Sequence, residues 1–420
     1  MQTLKLTKKY ETYPEYVASG YAWLGEVPKD WRIGKVKEVF NLIKDKSFNN
    51  SETEVLSLTL QGIKVRDISN NEGQIASSYE GYRKINKGDI VLNPMDLIRG
   101  FVDSSKFEGI ISPAYSTLRK RNADINSEFY NYFFQKHYNE QIFFPFGNGV
   151  SVDHRWTLKD NTLLDFPLII NSSEEQSKIA NYLDEKTSLI DQIIEKKQKL
   201  IELLKEKRTA VINEAVNNVN GEFGKIKNYI EVNPTKKFVS KTELDSIVSF
   251  VPMEAMSETG VLSLQEKKYS EVKDGFTYFR NNDVVLAKIT PCYENGKAGV
   301  MKGLKNDFGF GTTEFMVLRT NDQIIPEYLY YIIFSDKFRK SGEVEMRGTA
   351  GQKRVTSSFV RNYEFILPSI EMQMRLVTEL NRKTKYFDES VHKVKQSIQL
   401  LQEFKSSLIS NVVTGKIKIN

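Results

Sequence analysis

Two runs of this chain mix guanidinium, ammonium, carboxamide and hydroxyl groups with glycine, a combination able to hold a polyanion and to read hydrogen-bonding edges. In Arg347-Gly-Thr-Ala-Gly-Gln-Lys-Arg354 three bases and a glutamine share a glycine-hinged loop, and Lys288, Thr290, Tyr293, Asn295 and Lys297 follow a short apolar segment upstream. Arg, Lys, Gln and Asn can form paired bonds to base edges, whereas hydroxyls and glycine-loop amides suit phosphates. The matching positions in the first half are Asn93, Asp96, Arg99 and the run Phe146-Gly-Asn-Gly-Val-Ser-Val-Asp-His-Arg155. The candidate nucleic-acid-binding residues are therefore Asn93, Arg99, Asn148, His154, Arg155, Lys288, Thr290, Tyr293, Asn295, Lys297, Arg347, Thr349, Gln352, Lys353 and Arg354. A solvated polar loop would share much of this composition, but three bases with glycine hinges and one glutamine exceed what solubility requires.

Catalytic motifs are missing. The chain has no Walker A run, no His-Glu-x-x-His, no Gly-x-Ser-x-Gly and no paired CxxC. An amino-methyltransferase would need Asn-Pro-Pro-aromatic, and both Asn93-Pro94-Met95 and Asn233-Pro234-Thr235 lack the second proline and the aromatic. Phe308-Gly-Phe-Gly311 imitates a glycine cofactor loop but lies between strand signals, and Glu266-Lys-Lys268 is a chance triplet in a chain that is 27% charged. A single cysteine, Cys292, excludes an internal disulfide, and with only His137, His154 and His392 beside it a structural zinc site is not expected. The expectation is a non-catalytic chain without cofactor or metal of its own.

Length and composition set the frame. At 420 residues two to four domains are expected. The first residues lack the apolar stretch of a signal peptide, and no run reaches the roughly 18 apolar residues of a membrane span, so the expected setting is a reducing cytoplasm. Net charge is +6, with pI near 8.9.

Positioning the loops falls to the rest of the chain, whose organising stretch, 174–216, has no glycine or proline. Leu183, Ile190, Lys197, Leu204 and Val211 recur every seven residues, with Thr187, Ile194, Ile201, Arg208 and Ala215 four residues on. That pattern makes a narrow seam facing one partner helix. Adding 197 to each number gives Leu380, Phe387, Val394, Leu401 and Leu408, then Thr384, Val391, Ile398, Lys405 and Val412. A second helix thus repeats the first. The seam is assigned to Leu183, Ile190, Ile194, Ile201, Leu204, Val211, Leu380, Phe387, Val391, Val394, Ile398, Leu401 and Leu408. Both helices begin with Glu-x-Gln, at Glu174 and at Glu371. The segment 174–216 holds 9 acids and 8 bases and 371–413 holds 5 acids and 7 bases, so about +5 of the charge lies elsewhere, where a polyanion-facing surface would put it.

The remaining segments repeat as well. Gly34-Lys-Val-Lys37 returns as Gly224-Lys-Ile-Lys227, and the apolar strands at 88–93 and 114–119 return at 282–287 and 314–319. The aromatic helix at 128–134 returns at 327–333. Strands are also expected at 54–60, at 110–118 and over Leu164, Phe166, Leu168 and Ile170, with a polar loop at 94–107. The expected layout is an N-terminal arm (1–30), a first domain (31–171), a first helix (172–221), a second domain (222–369) and a second helix with a tail (370–420). The fold class is α+β: two duplicated mixed α/β domains, separated and joined by two long antiparallel coiled-coil helices in pseudo-two-fold symmetry.

Tyr13-Pro-Glu-Tyr16, Ser19-Gly20, Trp23-Leu-Gly-Glu-Val-Pro28-x-x-Trp31, Ser112-Pro-Ala-Tyr115, the Phe166-Pro167 and Leu367-Pro368 leads into Gln176 and Gln373, and the closing Leu408-Ile-Ser-Asn-Val-Val-Thr-Gly415 form one set. Together they resemble the specificity (S) subunit of type I restriction-modification systems over nearly the whole chain. One departure is Asn217-Asn-Val-Asn-Gly221, which stands where that family has Val-Thr-Gly. The resemblance implies two target recognition domains, each reading half of a split, asymmetric double-stranded DNA sequence through the candidate residues named above. It implies helices that act as a spacer and dock two methyltransferase (M) subunits. Those subunits would carry S-adenosylmethionine and adenine-N6 chemistry, and restriction (R) subunits the ATP- and magnesium-dependent translocation and cleavage of a bacterial defence system. On the residues alone, a stand-alone duplicated DNA-binding regulator and a coiled-coil protein scaffold stay open.

Overall fold

The computed structural model describes residues 10–46, 54–67, 78–98, 100–149, 156–236, 243–349 and 351–420. The chain divides into two compact units, residues 1–195 with 398–420 and residues 196–397. Each takes half of both long helices, which span Ser173–Asn217 and Ile370–Val413. These helices are polar over most of their surface; besides the seam that repeats every 3.5 residues, Ile179, Ile212, Val216, Ile409 and Val413 are buried near the helix ends.

In the first unit one four-stranded sheet has the order Gly62–Val65, Val55–Thr59, Gly109–Ile111, Arg83–Ile85. The other runs Phe40–Leu42, Ser116–Lys120, Ile90–Leu92, Val102–Ser104. Pro167–Ile170 pairs with Arg32–Lys35. The second unit repeats this plan: Gln265–Lys268, Ile247–Val251, Phe308–Gly311, Thr277–Arg280, then Ile230–Val232, Phe315–Thr320, Val284–Ala287, Ala298–Val300, and the pair Glu222–Lys225 with Glu364–Leu367. One parallel pairing occurs at the same place in each, Gly109–Ile111 on Val55–Thr59 and Phe308–Gly311 on Ile247–Val251.

That pairing explains the Phe-Gly-Phe-Gly run. The segment is itself a strand rather than a loop between strands, and Cβ atoms at Gly309 and Gly311 would stand 2.7 Å from the Ser249 and Val251 carbonyl oxygens. Gly109 is pinched in the same way, 2.5 Å from the Glu54 oxygen. The glycines let two strands approach, so no cofactor cradle is needed to account for them.

Two further expectations are corrected. Leu164 ends a short helix, Asp160–Leu164, and the strand starts only at Pro167. The polar Lys159-Asp-Asn161 start favours a helical turn over the apolar alternation. The polar loop at 94–107 contains the strand Val102–Ser104, whose Asp103 accepts a bond from the Ile63 amide at 2.8 Å.

Buried polar groups secure equivalent points in both units. Asp89 is 2% exposed and takes a forked bond from Arg119 at 2.6 to 3.2 Å, and Asp283, 1% exposed, takes one from Arg319 at 2.7 and 2.8 Å. The same carboxylates accept from the Asn86 and Arg280 amides, closing the tight turn ahead of each apolar strand. The glutamines of Glu-x-Gln have an equally specific task. Gln176 accepts from the Asn126 amide at 2.9 Å, and Gln373 from the Ile325 amide at 2.8 Å. Each thereby ties the start of a long helix to the start of its unit's aromatic helix, Ser127–Asn139 or Pro326–Phe334. Ser172 and Ser369 cap the long helices through the amides three residues on.

The aromatic helices fill the cores. Phe129, Tyr130, Phe133 and Phe134 are fully buried in the first unit, as is Tyr328 in the second. Their tyrosines also reach the long helices: Tyr132 donates to Asp184 and Tyr331 to Asn381, both at 2.7 Å. The N-terminal arm pairs Tyr16–Ala18 with Glu26–Pro28, and the Tyr16 hydroxyl donates to the Gly415 carbonyl at 2.9 Å.

Candidate nucleic-acid interface

In the second unit the glycine-hinged run is a closed hairpin. Arg347 and Arg354 exchange backbone bonds, Arg347 N–H to Arg354 O at 3.0 Å and Arg354 N–H to Arg347 O at 2.8 Å. Gly348 and Gly351 hold φ of +133° and +82°, which only glycine adopts readily, so the tight reversal depends on them. The hairpin base is fastened three ways. Thr290 N–H donates to the Lys353 carbonyl at 2.9 Å, the Lys353 amide donates to Thr290 Oγ1 at 3.1 Å, and Val355 N–H donates to the Lys288 carbonyl at 2.8 Å. The Arg354 guanidinium then grips Glu314 with two bonds of 2.8 Å, from Nε and Nη2.

The consequence is a rigid base under an exposed tip. Arg347, Thr349, Gln352 and Lys353 are exposed, and none of their side chains makes a hydrogen bond or ion pair with another described residue. These four are free to meet a ligand. Arg354 and Tyr293 are not. Arg354 is occupied by Glu314, whose carboxyl its hydrogen bond holds below the usual glutamate range. Tyr293 is 3% exposed, and its hydroxyl donates to the Phe338 carbonyl. Both were candidates on sequence, and both are already engaged within the fold. Residue type shows what a side chain can bind and leaves open what already occupies it. Lys297 donates to the Met253 carbonyl at 3.1 Å, Lys288 and Thr290 are half-buried, and Asn295 is exposed.

The first unit carries the same hairpin base at Asn148 and Thr157, which exchange backbone bonds of 3.0 Å. An aromatic replaces the ion pair as its fastening. Trp156 Nε1 donates to the Phe144 carbonyl at 2.7 Å and covers Gly147, where a Cβ would lie 2.3 Å from the indole nitrogen. Asn148 is exposed, while the Asn93 side-chain oxygen accepts from the Met95 amide. Arg99, His154 and Arg155 lie outside the described residues. Sequence reading missed both fastenings, although an acid at Glu314 facing no base in sequence was the available signal for one.

The seam residues fall into two classes. Leu183, Ile190, Leu380 and Leu408 are buried; Ile194, Ile201, Leu204, Val211, Phe387, Val391, Val394, Ile398 and Leu401 are half-buried. Ion pairs accompany them within each unit, Lys405 with Asp191 in the first and Arg208 with Asp388 in the second. No helix among the described residues is long and apolar enough to cross a membrane.

Comparison with known proteins agrees with this architecture. Residues 218–400 match the family model of the type I restriction modification DNA specificity domain. The type I restriction enzyme EcoAI specificity subunit of Escherichia coli is 37% identical over 189 residues, which cover 44% of this chain and 32% of that protein. The EcoEI specificity subunit of the same organism is 35% identical over 181 residues, 42% of this chain and 30% of that protein. The chain thus spans about a third of the length of the curated relatives it matches. A solved structure described as the structural basis of complex assembly and conformational transition of the type I R-M system shares the fold. Its TM-score is 0.70 at 11% identity, over 92% of this chain and 98% of that one. The second half of the chain is thus similar to the DNA specificity domain of type I restriction-modification systems, and the chain shares its fold with that solved structure.

Proposed function

We propose that this chain is the non-catalytic, sequence-specific DNA-binding subunit of a type I restriction-modification complex and that it recognises a bipartite, asymmetric target. The observation that carries this is the repeated hairpin. Two units with one topology carry bridges at corresponding points of the fold, Asn148 with Thr157 and Arg347 with Arg354, yet the sequences that these bridges enclose differ in length and composition. A shared scaffold with divergent tips is what reading two different half-sequences requires. Partner subunits, two methyltransferase and further restriction subunits in the cytoplasm, would supply adenine-N6 methylation or ATP-dependent cleavage. S-adenosylmethionine, ATP and magnesium would be bound there and not by this chain.

The reading is tested by sequencing methylated adenines in a host that carries the full complex. Gln352→Ala with Arg347→Ala removes two of the exposed side chains able to bond a base edge in pairs. It should relax one half-site and leave the other intact, at roughly 1 to 3 kcal/mol per lost contact. Equal relaxation of both half-sites would overturn the proposal.

A further inference from the structure

The geometry points to Arg354 and Glu314 as positioning residues for base recognition in the second unit: they set the pose of the hairpin tip and touch no DNA themselves. This inference rests on the DNA-recognition reading above and adds which residues set specificity and how.

The clasp has three properties of a positioning device. It is bidentate, with both Arg354–Glu314 bonds at 2.8 Å, so it fixes orientation as well as distance. It joins the hairpin to the sheet, because Glu314 directly precedes the strand Phe315–Thr320 and its carbonyl accepts from the Lys288 amide at 2.9 Å. It also shares the hairpin base with Thr290, whose hydroxyl donates to the Gly351 carbonyl at 3.2 Å. Arg354 further donates from Nη1 to the Gln352 carbonyl at 3.2 Å. That bond grips the backbone of the residue best suited to read an adenine, since a carboxamide pairs with adenine N6 and N7. Arg354 thus acts on Gln352 from behind, and Gln352 meets the base.

Charge makes the proposal testable. If Arg354 contacted DNA directly, removing Glu314 would free a guanidinium and delete a negative charge, and binding would strengthen. If the pair positions the tip, removing either partner weakens recognition alike. The experiment uses the full chain as purified with the subunits it carries, a duplex selected by it from a random library, and affinities measured across a salt series. Glu314→Ala and Arg354→Ala are each expected to weaken binding of the selected duplex about tenfold, the loss of roughly one base contact. The dependence of log affinity on log salt should not change, because no phosphate contact is lost. Reselection with either variant should show loss of preference at the same base pairs. The charge-swapped double variant, Glu314→Arg with Arg354→Glu, rebuilds the clasp and should restore most of the affinity, which also separates mispositioning from misfolding. Tighter or unchanged binding by Glu314→Ala would overturn the inference, as would a salt slope lowered by about one in Arg354→Ala, the mark of a lost phosphate contact. Absence of any sequence-selective binding by the unaltered protein would instead overturn the DNA-recognition reading itself.

Discussion

Arg208 in the second unit and Lys405 in the first are 197 residues apart and occupy the same seam position, and each faces an aspartate of the other long helix. Their surroundings differ. The Arg208 side chain is 8% exposed, forms an ion pair with Asp388 at 2.9 Å and lies 4.7 Å from the centre of the Phe334 ring. Lys405 is 29% exposed and bonds Asp191, which is 57% exposed, at 2.7 Å. Burial pushes the Asp388 carboxyl up and the Arg208 charge opposes that, so in the second unit each charge depends on the other. Water shares the load in the first. The same contrast holds at the hairpins, where an ion pair fastens one and an indole the other. Duplication has preserved the position of each fastening while its chemistry diverged, and one fold therefore responds differently to the same perturbation in its two halves.

Native probes allow each half to be followed separately. Trp23, Trp31 and Trp156 all lie in the first unit, and Cys292, half-buried, in the second. The largest expected effects are equal in the two. Leu183 and Leu380 are 0% and 1% exposed, so Leu183→Ala and Leu380→Ala should each cost about 2 to 5 kcal/mol. The first should be read by tryptophan fluorescence in denaturant and the second by the rate of Cys292 labelling. A negligible shift in either would mean the repeat is not energetic. Half-buried Leu204 and Leu401 should cost clearly less on alanine substitution.

The next test separates the halves. Arg208→Ala strands a partly buried carboxylate, and with Asp388 one-third exposed the cost should be about 2 to 3 kcal/mol, below the value for a fully buried pair. Lys405→Ala should cost less than about 1 kcal/mol, as exposed pairs do. Equal losses would erase the distinction drawn here.

The smallest effect is one of pH. His137 is fully buried among Trp23, Phe133, Phe143 and Phe166, and burial lowers its pKa to about 3. Its folded value lies below the unfolded 6.5, so the stability it contributes is complete above pH 6.5 and is lost as pH falls towards 3. Between pH 6.5 and 5.5 the tryptophan-detected transition should weaken by about 1 kcal/mol. His137→Phe should remove that step. The Cys292-detected transition should lack the His137 step, since His137 lies in the first unit.

Whatever has a period could be read from residue order alone. The 3.5-residue seam, the two-residue strands and the 197-residue repeat are local patterns of apolar and polar types, and burial follows such patterns because side-chain direction is set by the backbone. The Glu-x-Gln starts were legible because they recur 197 residues apart. Tertiary structure alone decided pairing. Arg354 looked like a base reader until Glu314, 40 residues upstream, was found to hold it, and Tyr293 until Phe338 buried it. The Tyr16 hydroxyl meets a carbonyl 399 residues away, and nothing in its neighbourhood announces that partner. Residue type states how many bonds a group can make; which of them are already taken depends on distances that no local pattern encodes.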